Sequence, residues 1–162
     1  YNNINMEQSI VKQVKQVENV NDFFPKFIFQ DNNLNIIVKV KYFTKKCDYT
    51  KLSKFIFNLV DKVISERMIK LDIDVLDILI DLKDYKIKEI DYAFIKLMIA
   101  LCQENYKDNL RIIYLKNSNI MFKTIYAVVR PFVDKETRKK IFFIKKGKKN
   151  KITEENIDEL FE

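Results

Sequence analysis

The sequence has no histidine, no tryptophan, one glycine (Gly147), two prolines and two cysteines. Each scarcity excludes a kind of chemistry. Without histidine there is no imidazole base, no Ser-His or Cys-His nucleophile pair, and no ordinary zinc site. A single glycine cannot build a phosphate loop or a dinucleotide-binding turn. Both need several glycines at fixed spacing so that the backbone can approach phosphate closely. Cys47 and Cys102 lie far apart, with neither disulfide-scaffold nor metal-ligand spacing, which fits a reducing compartment. No run of 18 apolar residues occurs, and no apolar block with a cleavage site opens the chain. Asp72, Asp74, Asp77, Asp81 and Asp84 are the residue type a hard cation prefers. Asp74, Asp77 and Asp81 fall along a strand pattern, however, not in a ligand loop with a glycine bend, so no metal is expected. The expectation is a cytoplasmic binding protein, not an enzyme, with no cofactor.

What is present suits one domain of 162 residues, 48% hydrophobic and 33% charged. The net charge of +7 is uneven. Residues 105–151 hold 14 basic against 3 acidic residues, and residues 152–162 hold 5 acidic and no basic ones. A one-sided basic segment suits a phosphate-rich partner, lipid headgroups or nucleic acid. Abundant Lys, Asn and Ile also follow from an A+T-rich coding bias, which raises lysine content without a function.

Met6, Ile10, Val14 and Val17 recur at helical spacing and predict an amphipathic helix over about 5–19. Residues 1–23 are read as an N-terminal helical segment, and 24–162 as the main domain. Strands are expected at Lys26–Gln30 and Asn35–Tyr42, joined by the Asp31-Asn32-Asn33 turn. A helix capped by Asp48 or Thr50 runs to about Glu66. Then come a strand at Val75–Leu82, a helix at Asp91–Asn105, a strand at Leu110–Lys116 and a helix at Asn119–Arg130. A short helix capped by Asp134 reaches Lys140, a strand covers Ile141–Lys145, and Thr153 is expected to cap a terminal helix. Alternating strands and helices predict a mixed, mainly parallel α/β sheet covered by helices.

The stretch 119–133 is unusual. Met121, Phe122, Ile125, Tyr126, Val129, Phe132 and Val133, with Ile120 and Val128, coat almost the whole helix circumference. A surface helix shows an apolar stripe about 100° wide. Periodicity admits two arrangements: a helix buried between layers, or one with a face on a cavity and another toward an apolar phase. The flanking Lys123, Arg130, Arg138, Lys139 and Lys140 suit a membrane interface. The lysines at Lys145, Lys146, Lys148 and Lys149 would each add about 1 kcal/mol near an anionic leaflet.

The run Tyr106–Asn117, then Arg130-Pro131-Phe132-Val133-Asp134, then Thr137–Ile141, resembles the CRAL-TRIO lipid-binding family. Its members include phosphatidylinositol- and tocopherol-transfer proteins. Ile78–Asp84 resembles the family strand that ends in aspartate, and Glu155–Leu160 its closing segment. The resemblance implies a hydrophobic pocket floored by the sheet and closed by a gate helix at 119–133. It also implies a phosphatidylinositol-like headgroup held by Asp108, Thr137 and Lys140, with transient contact at an anionic membrane surface. A filled-pocket interaction scaffold of the same fold is the alternative. A nucleic-acid reading fits the basic segment, but Phe122 and Tyr126 lie on a helix, whereas base-stacking platforms usually sit on sheets or loops. Nucleic acid is therefore not expected as a partner. Lys107 stands where the family turn has proline, and the family's N-terminal headgroup arginine has no counterpart.

Overall fold

The computed structural model describes residues 22–161; the helix expected over 5–19 lies outside the described residues. Six strands form one sheet in the order β1-β2-β3-β4-β5-β6, the order of the chain itself. They are β1 (Ile28–Gln30), β2 (Ile36–Lys39), β3 (Leu76–Asp81), β4 (Leu110–Lys116), β5 (Ile141–Lys146) and β6 (Ile152–Asn156). Strands β2 to β5 pair in parallel, and the two outer pairs are antiparallel. The helices are α1 (Phe24–Phe27), α2 (Tyr49–Leu71), α3 (Tyr92–Tyr106), α4 (Ile120–Val129) and α5 (Lys135–Arg138). The expected mixed α/β architecture is therefore the observed one.

Because each crossover steps to the next strand in one direction, right-handed connections put the crossover helices on one face. The register agrees. Ile36, Ile78, Ile113 and Ile141 form one row across the sheet, and Val38, Ile80, Leu115 and Phe143 a second. Both rows belong to the hydrophobic cores that the helices complete. The first core gathers Leu52, Ile56, Val60 and Val63 of α2 over β1–β3, with Phe94 from α3. The second gathers Tyr126 and Val129 of α4 and Val133 over β4 and β5, with Ile157 from the C-terminal turn. Helix α3 lies between, giving Phe94 and Met98 to one core and Ile95 and Ile99 to the other.

Three local expectations are corrected. The first two strands are shorter than their patterns. Pro25 opens the single-turn helix α1, and Phe23, Phe24 and Phe27 fold back onto the core around Phe43 instead of extending. Strand β2 stops at Lys39, where Val40–Tyr42 turns as a 3-10 helix. Helix α2 runs on to Leu71, because Arg67 continues the inward series Leu52, Ile56, Val60, Val63. A charged residue in that series hides the stripe from a hydropathy reading. Arg67 is 3% exposed; its guanidinium donates to the Leu34 carbonyl at 3.1 Å and lies 3.7 Å from Asp77. Leu34 is held there at φ 60°, a left-handed conformation costing an L-residue about 1–2 kcal/mol. Asp31 stabilises that turn by accepting from the Asn33 and Asn35 backbone N–H groups at 2.9 and 2.8 Å.

The third correction is at the C-terminus. Thr153 does not cap a helix; Ile152–Asn156 is an edge strand on β5, followed by a 3-10 turn at Ile157–Phe161. Thr153-Glu154-Glu155 mimics a helix start, but pairing with β5 wins. The Asn156 amide donates to the carbonyls of Arg138 and Ile141, both at 3.1 Å, and Lys145 pairs with Glu155 across the strands. Ile157, 1% exposed, anchors the turn in the second core.

Candidate functional site

Helix α4 begins where β4 ends. Asn117, at φ 57°, turns the chain, and its side chain donates to Asp81 at 2.7 Å. Burial raises the Asp81 pKa, but the Asn117 and Lys83 hydrogen bonds and the nearby Lys116 and Lys39 outweigh it and hold the carboxyl below its usual range. Asn119 caps the helix by accepting from the Phe122 N–H at 3.2 Å. The same oxygen accepts from the Tyr85 hydroxyl at 2.8 Å, which ties the start of α4 to the loop after β3.

The two faces of α4 differ mainly in exposure: the inner one is apolar, and the outer one carries apolar side chains beside Lys123 and Thr124. Inward, Ile125, Tyr126 and Val129 are buried. Phe122 stacks on Tyr126 (centroids 6.2 Å apart) and meets Phe143 edge-on at 5.6 Å. Burial, with Asp158 nearby, pushes the Tyr126 hydroxyl up to about 12 against the relief given by Arg138 and Arg130. Outward, Ile120 is 87% exposed, and Met121, Val128 and Phe132 are exposed as well. Leu97, on the neighbouring α3, is also exposed. An apolar coat that is half core and half surface answers the open question about this helix: it is not sandwiched between layers.

The C-terminal end of α4 is fastened at three points. The Gln103 side chain on α3 donates to the Phe132 carbonyl at 3.2 Å and accepts from the Asp134 N–H at 2.9 Å. The Lys96 ammonium lies 4.5 Å from the centre of the Phe132 ring. Arg130 and Arg138 each reach one oxygen of Asp158 at 3.3 Å, joining the helix end to the C-terminal turn. Ala127, Arg130, Pro131 and Arg138 line an open pocket of about 350 Å³, at the small end of ligand-sized hollows.

The three residues expected at a headgroup sit below this point, at the entry to β4 and β5. Asp108 is exposed in the 3-10 turn Lys107–Asn109. The Lys140 ammonium reaches that turn, donating to the Leu110 carbonyl at 2.8 Å and more weakly to Lys107 at 3.4 Å. Thr137 lies on α5, where its N–H donates to Asp134 at 2.7 Å. The structure thus brings Lys140 to the Asp108 turn and leaves Thr137 engaged with the Asp134 cap. Among the expected surface cations, Arg130 and Arg138 share Asp158, Lys139 pairs with Glu136 at 2.9 Å and Lys145 pairs with Glu155. Lys146, Lys148 and Lys149 are exposed around the β5–β6 turn. Of the aspartates weighed for a cation, Asp77 is engaged by Arg67 and Arg111, and Asp81 by Asn117.

Sequence reading missed Gln103, Asp158 and Tyr85, the residues that fasten α4. Each is a single polar residue whose partner lies 20 or more positions away, so no local spacing marks it. Asp158 falls inside the closing segment already singled out, and that was the one available sign.

The fold is a six-stranded mixed sheet with its crossover helices on one face. Residues 29–161 match the family described as CRAL/TRIO domain, and the chain belongs to that family. A crystal structure of Sfh5 superposes with a TM-score of 0.57 at 20% sequence identity, covering 84% of this chain and 60% of that one. This chain therefore spans about 60% of the Sfh5 chain. No curated protein sequence matches it. Among the described residues, no helix is long and apolar enough to cross a membrane.

Proposed function

We propose that the chain binds one lipid between α4 and the sheet and exchanges it at a membrane surface, acting as a carrier and not as an enzyme. The observation that carries this is the two-sided apolar character of α4. Its inner residues Phe122, Tyr126 and Val129 join the second core, while Ile120, Met121 and Val128 on its outer side, with Phe132 in the turn that follows, meet solvent. At a bilayer the outer face finds acyl chains instead of water, and burying it there is favourable by about 25 cal/mol per Å². Leaning α4 outward opens the core toward the membrane, where a buried acyl chain gains about 0.8 kcal/mol per CH₂. Asp108, Thr137 and Lys140, at the entries to β4 and β5, are the residues assigned to the headgroup in this reading. Carboxylate and hydroxyl groups suit sugar-like hydroxyls, and an ammonium suits phosphate, so a phosphatidylinositol-like lipid fits. Lys139, Lys145, Lys146, Lys148 and Lys149, with Arg130 and Arg138, supply the field toward an anionic leaflet.

Native mass spectrometry of the purified chain is expected to show one lipid per chain. Transfer of fluorescent phosphatidylinositol between vesicles is expected above the protein-free rate. Failure of both sinks the carrier reading. One observation favours a second reading, an interaction scaffold with a filled interior: Phe122, Tyr126 and Phe143 pack against one another beneath α4. Absence of lipid with an unchanged, folded chain is the outcome that selects it.

A further inference from the structure

Strand β6 closes the sheet on one side, and its register shows which of its backbone groups face outward. The Gly147 N–H donates to the Lys151 carbonyl at 2.8 Å, and Lys146–Ile152, Lys145–Thr153, Ile144–Glu154 and Phe143–Glu155 follow as opposed pairs. Opposed residues of an antiparallel ladder alternate between pairs that exchange backbone bonds and pairs that do not. Gly147 and Lys151 occupy a bonded position. Thr153 and Glu155 therefore turn their N–H and C=O groups to β5, and Ile152 and Glu154 turn theirs away from it. Among the described residues, nothing accepts the Ile152 and Glu154 N–H groups. The usual guards of an edge, a lysine or a proline, are absent from Ile152–Asn156, and its charges are those of Glu154 and Glu155.

Ile152 and Glu154 also share one sheet face, the one opposite the helices, because they stand across from Lys146 and Ile144 and not from the core residue Phe143. Ile152 is 66% exposed, and Glu154 is exposed as well. Glu155 pairs with Lys145, but Glu154 has no ion pair among the described residues. The Tyr114 hydroxyl donates to it and leaves its charge standing. We propose that this edge takes up an extended basic segment of a partner protein as an added antiparallel strand, with an apolar side chain across from Ile152 and a lysine or arginine across from Glu154. Backbone pairing supplies the hold, and the two cross-strand pairs supply the selection. Charge supports it: residues 152–162 hold 5 acidic and no basic residues. The lysines of the β5–β6 turn lie at the Ile152 end, so they keep the partner's cation from that end and set the register. A second copy of β6 is a poor occupant, since full antiparallel overlap sets Glu154 against Glu154. This inference is independent of the lipid reading, since it concerns the edge of the sheet and not α4.

Amide hydrogen exchange on the 162-residue chain with a synthetic octapeptide tests it. In the peptide, lysine and valine alternate at every second position with threonine between them, and both ends are capped. In the free chain the Thr153 and Glu155 amides are expected to be protected, and those of Ile152 and Glu154 to exchange freely. The peptide is expected to slow exchange at Ile152 and Glu154 by about tenfold. A peptide with glutamate in place of lysine is expected to bind several-fold more weakly, and Glu154→Lys to reverse that preference. Ile152→Pro removes an outward N–H and keeps the bonds to β5, so binding is expected to weaken about tenfold with Thr153 and Glu155 still protected. N-methylation of the peptide at its lysines and valines makes the same test on an unaltered chain. It is expected to abolish binding, and N-methylation at the threonines to be tolerated. The proposal is overturned if exchange at Ile152 and Glu154 is not slowed up to the limit of peptide solubility, or is slowed equally by the glutamate peptide. Protection of these two amides in the free chain that fades on dilution also overturns it, and would assign the edge to a second copy of the chain.

Discussion

Asp134 shows how one side chain can serve both a helix end and a site. It caps α5 through the Thr137 N–H, and that bond, reinforced by the Thr137 hydroxyl and Lys107 against partial burial, holds its pKa below the usual carboxylate range. A carboxyl depressed in the folded state adds stability above its unfolded pKa, near 3.9, and loses it as pH falls through the folded value. Asp134→Ala is expected to cost about 1 kcal/mol in urea unfolding at pH 7, with the gap to wild type narrowing below about pH 4. Arg67 is the opposite case, a cation placed where the sequence pattern calls for an aliphatic residue. Removing it leaves the Leu34 carbonyl without its donor and the strained Leu34 turn without support. Arg67→Ala is expected to destabilise the chain by about 2–4 kcal/mol, read as a lower urea midpoint at unchanged slope. Neither role was legible beforehand in full. The Asp134 cap was, because a cap is a local pattern. The Arg67 role was not, because the Leu34 carbonyl it binds lies 33 residues upstream and Asp77 lies on another element.

Among the elements, α4 separates stability from function. Its inner face holds the second core, and its outer face adds little to folding. Val128→Asp is expected to shift unfolding by no more than about 0.5 kcal/mol. The same change is expected to lower lipid transfer between vesicles several-fold, because a carboxylate on the outer face must be desolvated at the bilayer. If stability falls and transfer does not, the outer face is part of the fold and not a membrane contact. The helices and the middle strands were largely readable. Strand β4 runs over the expected residues, and α3 and α4 differ from expectation by a residue or so at their ends. The periphery was not readable. Near β1 a cluster of phenylalanines outweighed an extended pattern, and at β6 pairing with an edge outweighed a cap-like Thr-Glu-Glu run. Both outcomes depend on which distant segment is available as a neighbour, and spacing within a window does not encode that.

For the molecule as a whole, charge sets a further test. The basic segment 105–151 is partly neutralised by internal pairs such as Arg130–Asp158 and Lys145–Glu155, so the field reaching outward is smaller than the composition implies. Transfer to anionic vesicles is expected to weaken between about 0.1 and 0.5 M salt, as the screening length shrinks from ~10 Å. Lys146→Glu combined with Lys148→Glu is expected to remove most of that salt sensitivity with little change on neutral vesicles. The alternation of strands and helices made a parallel sheet foreseeable. That the crossover helices among the described residues fall on one side needed the strand order, which only the pairing reveals. The same order bears on assembly. Each new strand joins the edge left by its predecessor, so no strand must wedge between two already paired ones. A nascent chain can therefore add its units in the sequence in which the ribosome releases them, with few distant loops to close before the growing edge gains a partner.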